Sequence, residues 1–258
     1  MDATLSSIFG ICFIFLMTSL GASIIFLVKK NLSEKWNVFF LSFAGGIMMA
    51  SSIWSLLIPA ISSAEDYGKF AFLPASVGFI GGCFFMFFLD LILNRSQKEQ
   101  VGNKAFTKNK KMFFAISLHN IPEGLSVGVA LGSAFAIGSP ISLISALSLA
   151  IGIGIQNIPE GFAVSLPMFE QTGSKTKAFL YGVFSGCLEP VFALVGLLLS
   201  SFFSCLLPWL LAFAGGTMIY TVINELLPET QCGILKQLGT WGFIAGFMIM
   251  MILDVAFA

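Results

Sequence analysis

Long apolar runs, separated by short stretches that hold most of the charged residues, make up nearly the whole of the 258-residue chain. A hydrocarbon core about 30 Å thick needs roughly 20 residues of α-helix, and the apolar runs have that length. They lack the alternation over about ten residues that a barrel strand would show. The pattern therefore predicts an all-α integral membrane protein with eight transmembrane helices. The predicted helices cover residues 5–28, 37–60, 72–94, 112–137, 141–169, 177–200, 206–228 and 239–257.

Basic residues occur almost entirely in alternate loops between these helices. If the chain starts outside, twelve of the thirteen Lys and Arg residues fall on one side of the membrane and only Lys69 on the other. The positive-inside rule makes the first side the cytoplasm, so both termini are expected outside a plasma or bacterial inner membrane. The polar stretch at about 95–111 is then predicted to be a cytoplasmic loop within a single transmembrane domain, 1–258.

Composition agrees with this class, since 57% of the residues are hydrophobic and 10% are charged. So much apolar surface is typical of a protein surrounded by membrane lipids. The formal net charge is zero, and the basic residues form short loop clusters, so nucleic acid is not expected as a partner.

Two pairs of segments recur in the same order at the two ends of the chain. Residues 43–49 (FAGGIMM) resemble 213–219 (FAGGTMI), and residues 78–82 (GFIGG) resemble 242–246 (GFIAG). Paired helices are five apart, so each pair crosses the membrane in opposite directions, as in inverted-repeat transporters. We therefore expect helices 1–3 and 6–8 to form an inverted repeat around central helices 4 and 5. Chance recurrence of small-residue motifs is the alternative for either match alone.

A second repeat places polar residues in the middle of the two central helices, where residues 119–124 read HNIPEG and 156–161 read QNIPEG. At 100° per residue, the first, second and fifth positions of each motif lie within an arc of about 100°. Each helix thus presents one polar face, and the proline of each motif releases a backbone carbonyl nearby. Ionisable residues at this depth are expensive unless they are paired or hydrated, so the two faces should meet each other or a cavity.

Two further residues lie at the middle of predicted helices, Glu189 in the sixth and Met48 in the second. Together with the two motifs they would bring imidazole, thioether, carboxylate and amide groups to one depth. That set suits a borderline transition ion, Zn²⁺ above all, with Fe²⁺, Mn²⁺, Co²⁺ and Cd²⁺ as alternatives. The candidate metal ligands are His119, Asn120, Glu123, Gln156, Asn157, Glu160, Glu189 and Met48.

Each candidate ligand has a simpler explanation. His119 could be a hydrogen-bonded structural residue, although it is the only histidine of the chain. Glu123 and Glu160 could relay protons, and Glu189 could serve helix packing or carry protons. Met48 on its own would be assigned to packing.

At these residues the chain resembles the ZIP (Zrt-/Irt-like) family of metal-ion transporters, especially its bacterial branch with Gln opening the second motif. The resemblance extends over nearly the whole chain and includes the Glu-Pro of the sixth helix and the GG-x-M segment of the second. It implies a binuclear site in which Glu123 bridges the two metals. The first metal would be held by His119, Glu123, Gln156, Glu160 and Met48, and the second by Asn120, Glu123, Asn157 and Glu189.

Two features depart from that family pattern. Asn157 stands where related sequences often carry Asp, which removes one charge from the second position and should weaken it or alter its selectivity. The stretch 95–111 contains no His, so no metal-sensing role is assigned to it.

Superposition of the FAGG segments places Ser55 opposite Glu225, in the outer half of the second helix and the inner half of the seventh. We predict that Ser55 lines the entrance and Glu225 the exit of the pathway. The alternative is structural, with Ser55 capping a helix contact and Glu225 reaching cytoplasmic water. Asp90 and Asp254, near helix ends, are expected to reach the interface by snorkelling.

The function predicted is transport of a divalent metal, most simply zinc, into the cytoplasm by alternating access, without catalysis or a catalytic cofactor. The competing hypotheses are an intramembrane metalloenzyme, such as a zinc hydrolase, and a metal-gated channel. A hydrolase would usually use three His-type ligands or HExxH, whereas this chain has one His. The resemblance also suggests a homodimer.

Overall fold

The computed structural model describes residues 3–28, 33–98, 104–135, 142–200, 204–230, 233 and 235–257. In these parts of the chain the regular structure is helical and no strand occurs. Short 3₁₀ turns at Ile24–Phe26, Glu65–Phe70 and Ser204–Leu206 lie next to the long helices. The long helices are α1 (Ala3–Ser23), α2 (Glu34–Ser62), α3 (Phe72–Lys98), α4 (Lys104–Ser133), α5 (Leu143–Thr172), α6 (Lys175–Leu198), α7 (Leu207–Thr230) and α8 (Lys236–Phe257).

Seven of these helices are long and apolar enough to cross a membrane, which confirms the prediction of an all-α integral membrane protein. The exception is α4, whose 30 residues suffice in length. Its central His119, Asn120 and Glu123 and its basic N-terminal end make it less apolar than the others. The count of eight crossings therefore stays a prediction.

Most of the predicted loop at 95–111 is helical in the structure. α3 continues to Lys98 and α4 already begins at Lys104, so only residues 99–103 lie outside the described residues. Lys and Gln have helix propensities close to that of Leu, and helices rich in them can continue past the apolar core into water. The polar composition of 95–111 therefore indicates where the apolar segments end, whereas the helices themselves extend further.

Four long helix pairs build the bundle. α2 packs along α8 and α3 along α7, whereas α1 packs along α5 and α4 along α6. The helices thus fall into two groups, which we call the motif bundle (α1, α4, α5, α6) and the flanking bundle (α2, α3, α7, α8). The predicted arrangement, with helices 1–3 and 6–8 around helices 4 and 5, differs from the observed packing in one respect. The first helix of each repeat, α1 or α6, packs against a central helix and not with the rest of its repeat.

Contacts within the flanking bundle follow the internal repeat. At Gly46 of α2 a β-carbon would collide with the backbone carbonyl of Phe243, and at Gly216 of α7 with that of Phe79. These four residues occupy equivalent places in the FAGG and GFI segments, so the repeat brings the same small residue against the same neighbour twice. This equivalence supports the inverted-repeat prediction.

The two helices that pack together as α2 and α8 run parallel to each other. In the α2/α8 pair, Ser42 lies beside Gly239 near one end and Ser55 beside Asp254 near the other. Two parallel membrane helices require an odd number of crossings between them. Five helices separate α2 from α8, so the parallel packing supports the prediction that α4 also crosses the bilayer.

Both α2 and α7 contain a π-helical segment at equivalent positions of the repeat, Ser52–Leu57 and Val222–Leu226. Pro59 and Pro228 follow these segments and cannot donate a backbone hydrogen bond to the preceding turn. The helix instead continues through wider turns, a feature that is frequent at functional sites.

Candidate metal site

All eight predicted ligands are completely buried in the structure. Most of them come from the middle of α4 and α5, where the HNIPEG and QNIPEG motifs lie within uninterrupted helices despite their prolines. The remaining two come from α2 and α6. The fully buried residues are Met48, His119, Asn120, Glu123, Gln156, Asn157, Glu160 and Glu189.

Three of them form what we call the motif cluster: His119, Glu123 and Glu160. One potential ligand atom from each residue lies within 4.8 Å of those of the other two. His119 Nε2 is 3.4 Å from Glu160 Oε2, so imidazole and carboxylate from different helices already meet. Such spacing is compatible with one ion held by a nitrogen and two oxygen ligands.

The carboxylates of the motif cluster are poorly satisfied by the protein itself. Both oxygens of Glu123 and Oε1 of Glu160 have no hydrogen-bond partner of normal geometry among the described residues. A charged side chain at mid-membrane costs about 2.5–3.5 kcal/mol even on insertion scales, and pairing with an opposite charge offsets that cost. The cluster contains acidic oxygens and an imidazole but no Lys or Arg, so a cation suits it.

A second buried carboxylate, Glu189 of α6, is surrounded by hydrogen-bond donors. Thr18 Oγ1 donates to its Oε1 at 2.7 Å, and Asn157 Nδ2 donates to its Oε2 at 2.7 Å. Asn120 Nδ2 also donates to Oε1, at 3.3 Å. These four residues, the Glu189 cluster, join α1, α4, α5 and α6, so they hold the motif bundle together at its centre.

Gln156, the first residue of the second motif, contacts the flanking bundle on two sides. Ser51 Oγ of α2 hydrogen-bonds to its Oε1, and its Nε2 lies 3.6 Å from Met218 Sδ of α7. Met48, the predicted thioether ligand, is fully buried in the same hydrophobic core as Met218. The thioether that contacts the predicted ligand Gln156 is therefore that of Met218. Met218 occupies the same position in the second FAGG segment as Met48 does in the first.

Known proteins match this chain over most of its length. A family profile described as "ZIP Zinc transporter" matches residues 111–254, which include both motifs and Glu189. The chain belongs to the ZIP family. The family resemblance seen at the motifs is therefore confirmed for more than half of the chain.

Curated members of the ZIP family align with the chain almost from end to end. It is 37% identical to zinc transporter GufA of Myxococcus xanthus, with 93% of this chain and 94% of the relative covered. It is 35% identical to zinc transporter ZIP11 of Xenopus tropicalis, with 97% of each chain covered. Zinc transporter ZIPB of Bordetella bronchiseptica is 34% identical over 94% of this chain and 78% of its own length. Since these ZIP relatives come from bacteria and a vertebrate, the bacterial branch stays a prediction.

The residues predicted to line the pathway of this ZIP protein lie in the two π-helical segments. Ser55 Oγ donates to Asp254 Oδ1 of α8 at 2.7 Å. In the other repeat the donor to the equivalent Asp90 is Asn224, the residue before Glu225: its Nδ2 donates to Asp90 Oδ2 at 2.6 Å and to Glu225 Oε1 at 2.9 Å. Asp90 and Asp254, expected only to snorkel, therefore also bond to the helix paired with their own.

Three residues near the site were missed by sequence reasoning: Thr18, Ser51 and Met218. Met218 had a detectable signal, because it follows the second GG exactly as Met48 follows the first. Thr18 and Ser51 had none. Hydroxyl residues are common in membrane helices and often bond to their own backbone, as Thr18 also does with the carbonyl of Ile14 at 3.2 Å.

Proposed function

We propose that this ZIP family member transports divalent metal ions, zinc foremost, across a cell membrane into the cytoplasm. The observation that carries the proposal is the motif cluster, in which His119, Glu123 and Glu160 converge and leave carboxylate oxygens unsatisfied inside a multi-pass membrane protein. The names of the ZIP relatives, all zinc transporters, support the same metal. Fe²⁺, Mn²⁺, Co²⁺ and Cd²⁺ are the competitors to compare with zinc.

The first metal position in this proposal uses His119, Glu123 and Glu160 as ligands. Gln156 and Met48 complete it, in line with the ZIP resemblance. Imidazole and carboxylates favour zinc over Mg²⁺ and Ca²⁺, which bind oxygen almost exclusively. The second position implied by the resemblance, at Asn120, Asn157 and Glu189, stays a prediction at this point.

Alternating access would move the motif bundle relative to the flanking bundle. Two features support this division. The long helix pairs lie within the bundles, and the ligand Gln156 meets Ser51 and Met218 across the boundary between them. Because the flanking bundle is an inverted repeat, similar helices would line the route to the site from each side of the membrane.

The direction of transport and the topology belong to the same proposal. Both termini lie outside, Ser55 lies toward the outer face, and Glu225 lies toward the cytoplasm. The distribution of Lys and Arg supports this orientation. Residues 1–258 would act as a single transport domain.

We also propose that the protein forms a homodimer, as the ZIP resemblance suggests. Membrane lipids would cover the surface outside the dimer contact. Many large apolar side chains are exposed on the outer helices, as a lipid-facing surface requires, among them Phe84, Phe88 and Ile92 of α3.

The hydrolase hypothesis finds little support in the site. Membership in a family named for transport argues against it. Catalytic zinc sites commonly keep three protein ligands and an open position for water, with a general base nearby. Here both carboxylates of the motif cluster are needed to balance a divalent cation.

Uptake of several divalent metals into liposomes that contain the purified protein tests the function. Saturable zinc uptake that Glu160→Gln abolishes is the expected result, because this change removes one charged ligand without altering size. Glu170→Gln is the matched control: it is the same substitution in the same helix, at an exposed position outside the cluster, and should leave uptake intact.

The same assay separates the competing classes. Flux far above about 10³ ions per second per protein would indicate a channel. Hydrolysis without flux would indicate an enzyme. Equal uptake by the Glu160→Gln and Glu170→Gln variants would contradict the proposed site.

A further inference from the structure

We propose that Met218 of α7 supplies a sulfur ligand to the transported ion, in addition to the ligands of the motif cluster. This inference rests on the proposed transport function and its metal site at His119, Glu123 and Glu160. It adds a residue that neither the two motifs nor the ZIP resemblance assigns. A thioether in the site shifts its preference toward softer cations such as Cd²⁺.

Met218 lies one side chain away from the motif cluster. Its Sδ is 3.6 Å from Nε2 of Gln156, and the Gln156 side chain also interacts with the Glu123 carboxylate. All three residues are completely buried. The sulfur thus adjoins a residue that itself belongs to the proposed first metal position.

The amide of Gln156 turns its nitrogen, which cannot bind a metal, toward the sulfur. Its Oε1 accepts a hydrogen bond from the Ser51 hydroxyl instead. Half a turn of the amide brings the oxygen to the side of Met218. This rotation keeps the contact with Ser51, because a hydroxyl can accept from Nε2 as well as donate to Oε1. The contact that is lost, between Nε2 and Sδ, is a weak one, since a thioether is a weak acceptor.

After this rotation an oxygen and a sulfur face each other where Nε2 and Sδ now lie, 3.6 Å apart. Both are acceptors, so a cation between them is favourable. In a tetrahedral zinc site with bonds of about 2.1 Å to oxygen and 2.3 Å to sulfur, the two ligand atoms lie about 3.6 Å apart. A nitrogen and an oxygen ligand lie about 3.4 Å apart in the same geometry. His119 Nε2 and Glu160 Oε2 are separated by 3.4 Å, so both pairs have the spacing of zinc ligands.

The internal repeat supplies an independent argument. Met218 follows the GG pair of α7 exactly as Met48 follows that of α2, and both are completely buried in one hydrophobic core. The ZIP resemblance assigns a sulfur ligand to α2 alone. An inverted repeat places equivalent side chains on both of its halves, so both halves of the flanking bundle carry a thioether along the boundary with the motif bundle.

Packing is the alternative explanation of Met218, since Met fills apolar cores well. The two explanations differ in the effect of Leu at this position. Leu has a similar volume but no sulfur, so it preserves most of the packing and removes the ligand. Because sulfur favours Cd²⁺ over Mn²⁺, Met218→Leu should lower Cd²⁺ affinity by about tenfold and Mn²⁺ affinity by less than about threefold. A packing role alone gives equal changes for the two ions.

The test identifies the ligands of Cd²⁺ by X-ray absorption spectroscopy of the full-length protein in detergent, loaded with an equimolar amount of Cd²⁺. Met48→Leu removes the sulfur that the ZIP resemblance assigns, and its first coordination shell should still contain sulfur. The double variant Met48→Leu/Met218→Leu should show nitrogen and oxygen only. Met250→Leu is the matched control, because Met250 is buried in a different core cluster. It should keep the wild-type ratio of Cd²⁺ to Mn²⁺ affinity.

Two spectroscopic results would overturn the proposal: no sulfur around Cd²⁺ in Met48→Leu, or sulfur that persists in the double variant. Equal losses of Cd²⁺ and Mn²⁺ affinity in Met218→Leu would also overturn it, and this measurement does not depend on whether the double variant folds. Failure of the proposed function has a different signature. If His119→Ala binds Cd²⁺ as tightly as wild type, the metal lies elsewhere. Binding that requires His119 but is indifferent to Met218 leaves the proposed site intact and removes only this inference.

Discussion

Glu123 and Glu189 are both fully buried carboxylates of the motif bundle, yet their surroundings are opposite. In the motif cluster, Glu123 has no hydrogen-bond partner of normal geometry in the described part of the chain. In the Glu189 cluster, three neutral donors surround the carboxylate. The contrast teaches that burial of a charge in a membrane helix does not by itself identify a metal ligand. Of these two carboxylates, Glu123 is the stronger candidate ligand, because its oxygens lack partners from the protein.

The sharpest test of this contrast is the same substitution in each cluster. Glu123→Gln should lower zinc affinity and uptake by more than about 100-fold, because it removes a charged ligand, whereas loss of supporting residues around a metal costs about 10–100-fold. Glu189→Gln should lower them by less than about tenfold, since Gln can keep part of the hydrogen bonding. Zinc titration and liposome uptake measure both. Equal losses in the two variants would break the distinction between the clusters.

Acid should act mainly on the motif cluster. Metal ligands must be deprotonated: a protonated His119 has no nitrogen lone pair for the metal, and a protonated Glu123 has lost the negative charge that attracts it. Apparent zinc affinity should therefore fall as the pH falls, by about tenfold per pH unit for each proton that the metal displaces. Titrations at several pH values give this slope. The slope should be smaller in Glu123→Gln, which has one proton-binding ligand fewer, and an identical slope would show that Glu123 is not a ligand.

The smallest effect on transport is expected in the Glu189 cluster. Thr18→Val keeps the shape of the side chain but removes the donor to Glu189. The buried oxygen then loses one of its bonds, which should destabilise the protein by about 1–3 kcal/mol. Thermal unfolding in detergent should show a lower Tm with zinc affinity unchanged. A large loss of zinc affinity at unchanged Tm would instead place Thr18 beside the metal.

Much of the fold was predictable because the bilayer restricts what a sequence can do. Spans of about 20 apolar residues, loops that alternate in basic charge and a polar residue at mid-helix each have few explanations in a membrane. The helix ends were less predictable, as α4 shows by beginning at Lys104 instead of residue 112. A Lys-rich segment in water can form either a helix or a loop, so its composition does not predict which of them it forms.

The sequence by itself determined the membrane class, the helical order and the polar faces at HNIPEG and QNIPEG, since helical periodicity and the cost of buried polar groups require no partner. Only the tertiary structure decided which helices pair, that Met218 lies against Gln156, and that the amide nitrogens of Asn120 and Asn157 point at Glu189. The physical reason is that an amide can donate or accept. Which of the two it does depends on neighbours from other helices, such as the carbonyls of Ser185 and Ile14, that no local pattern reveals.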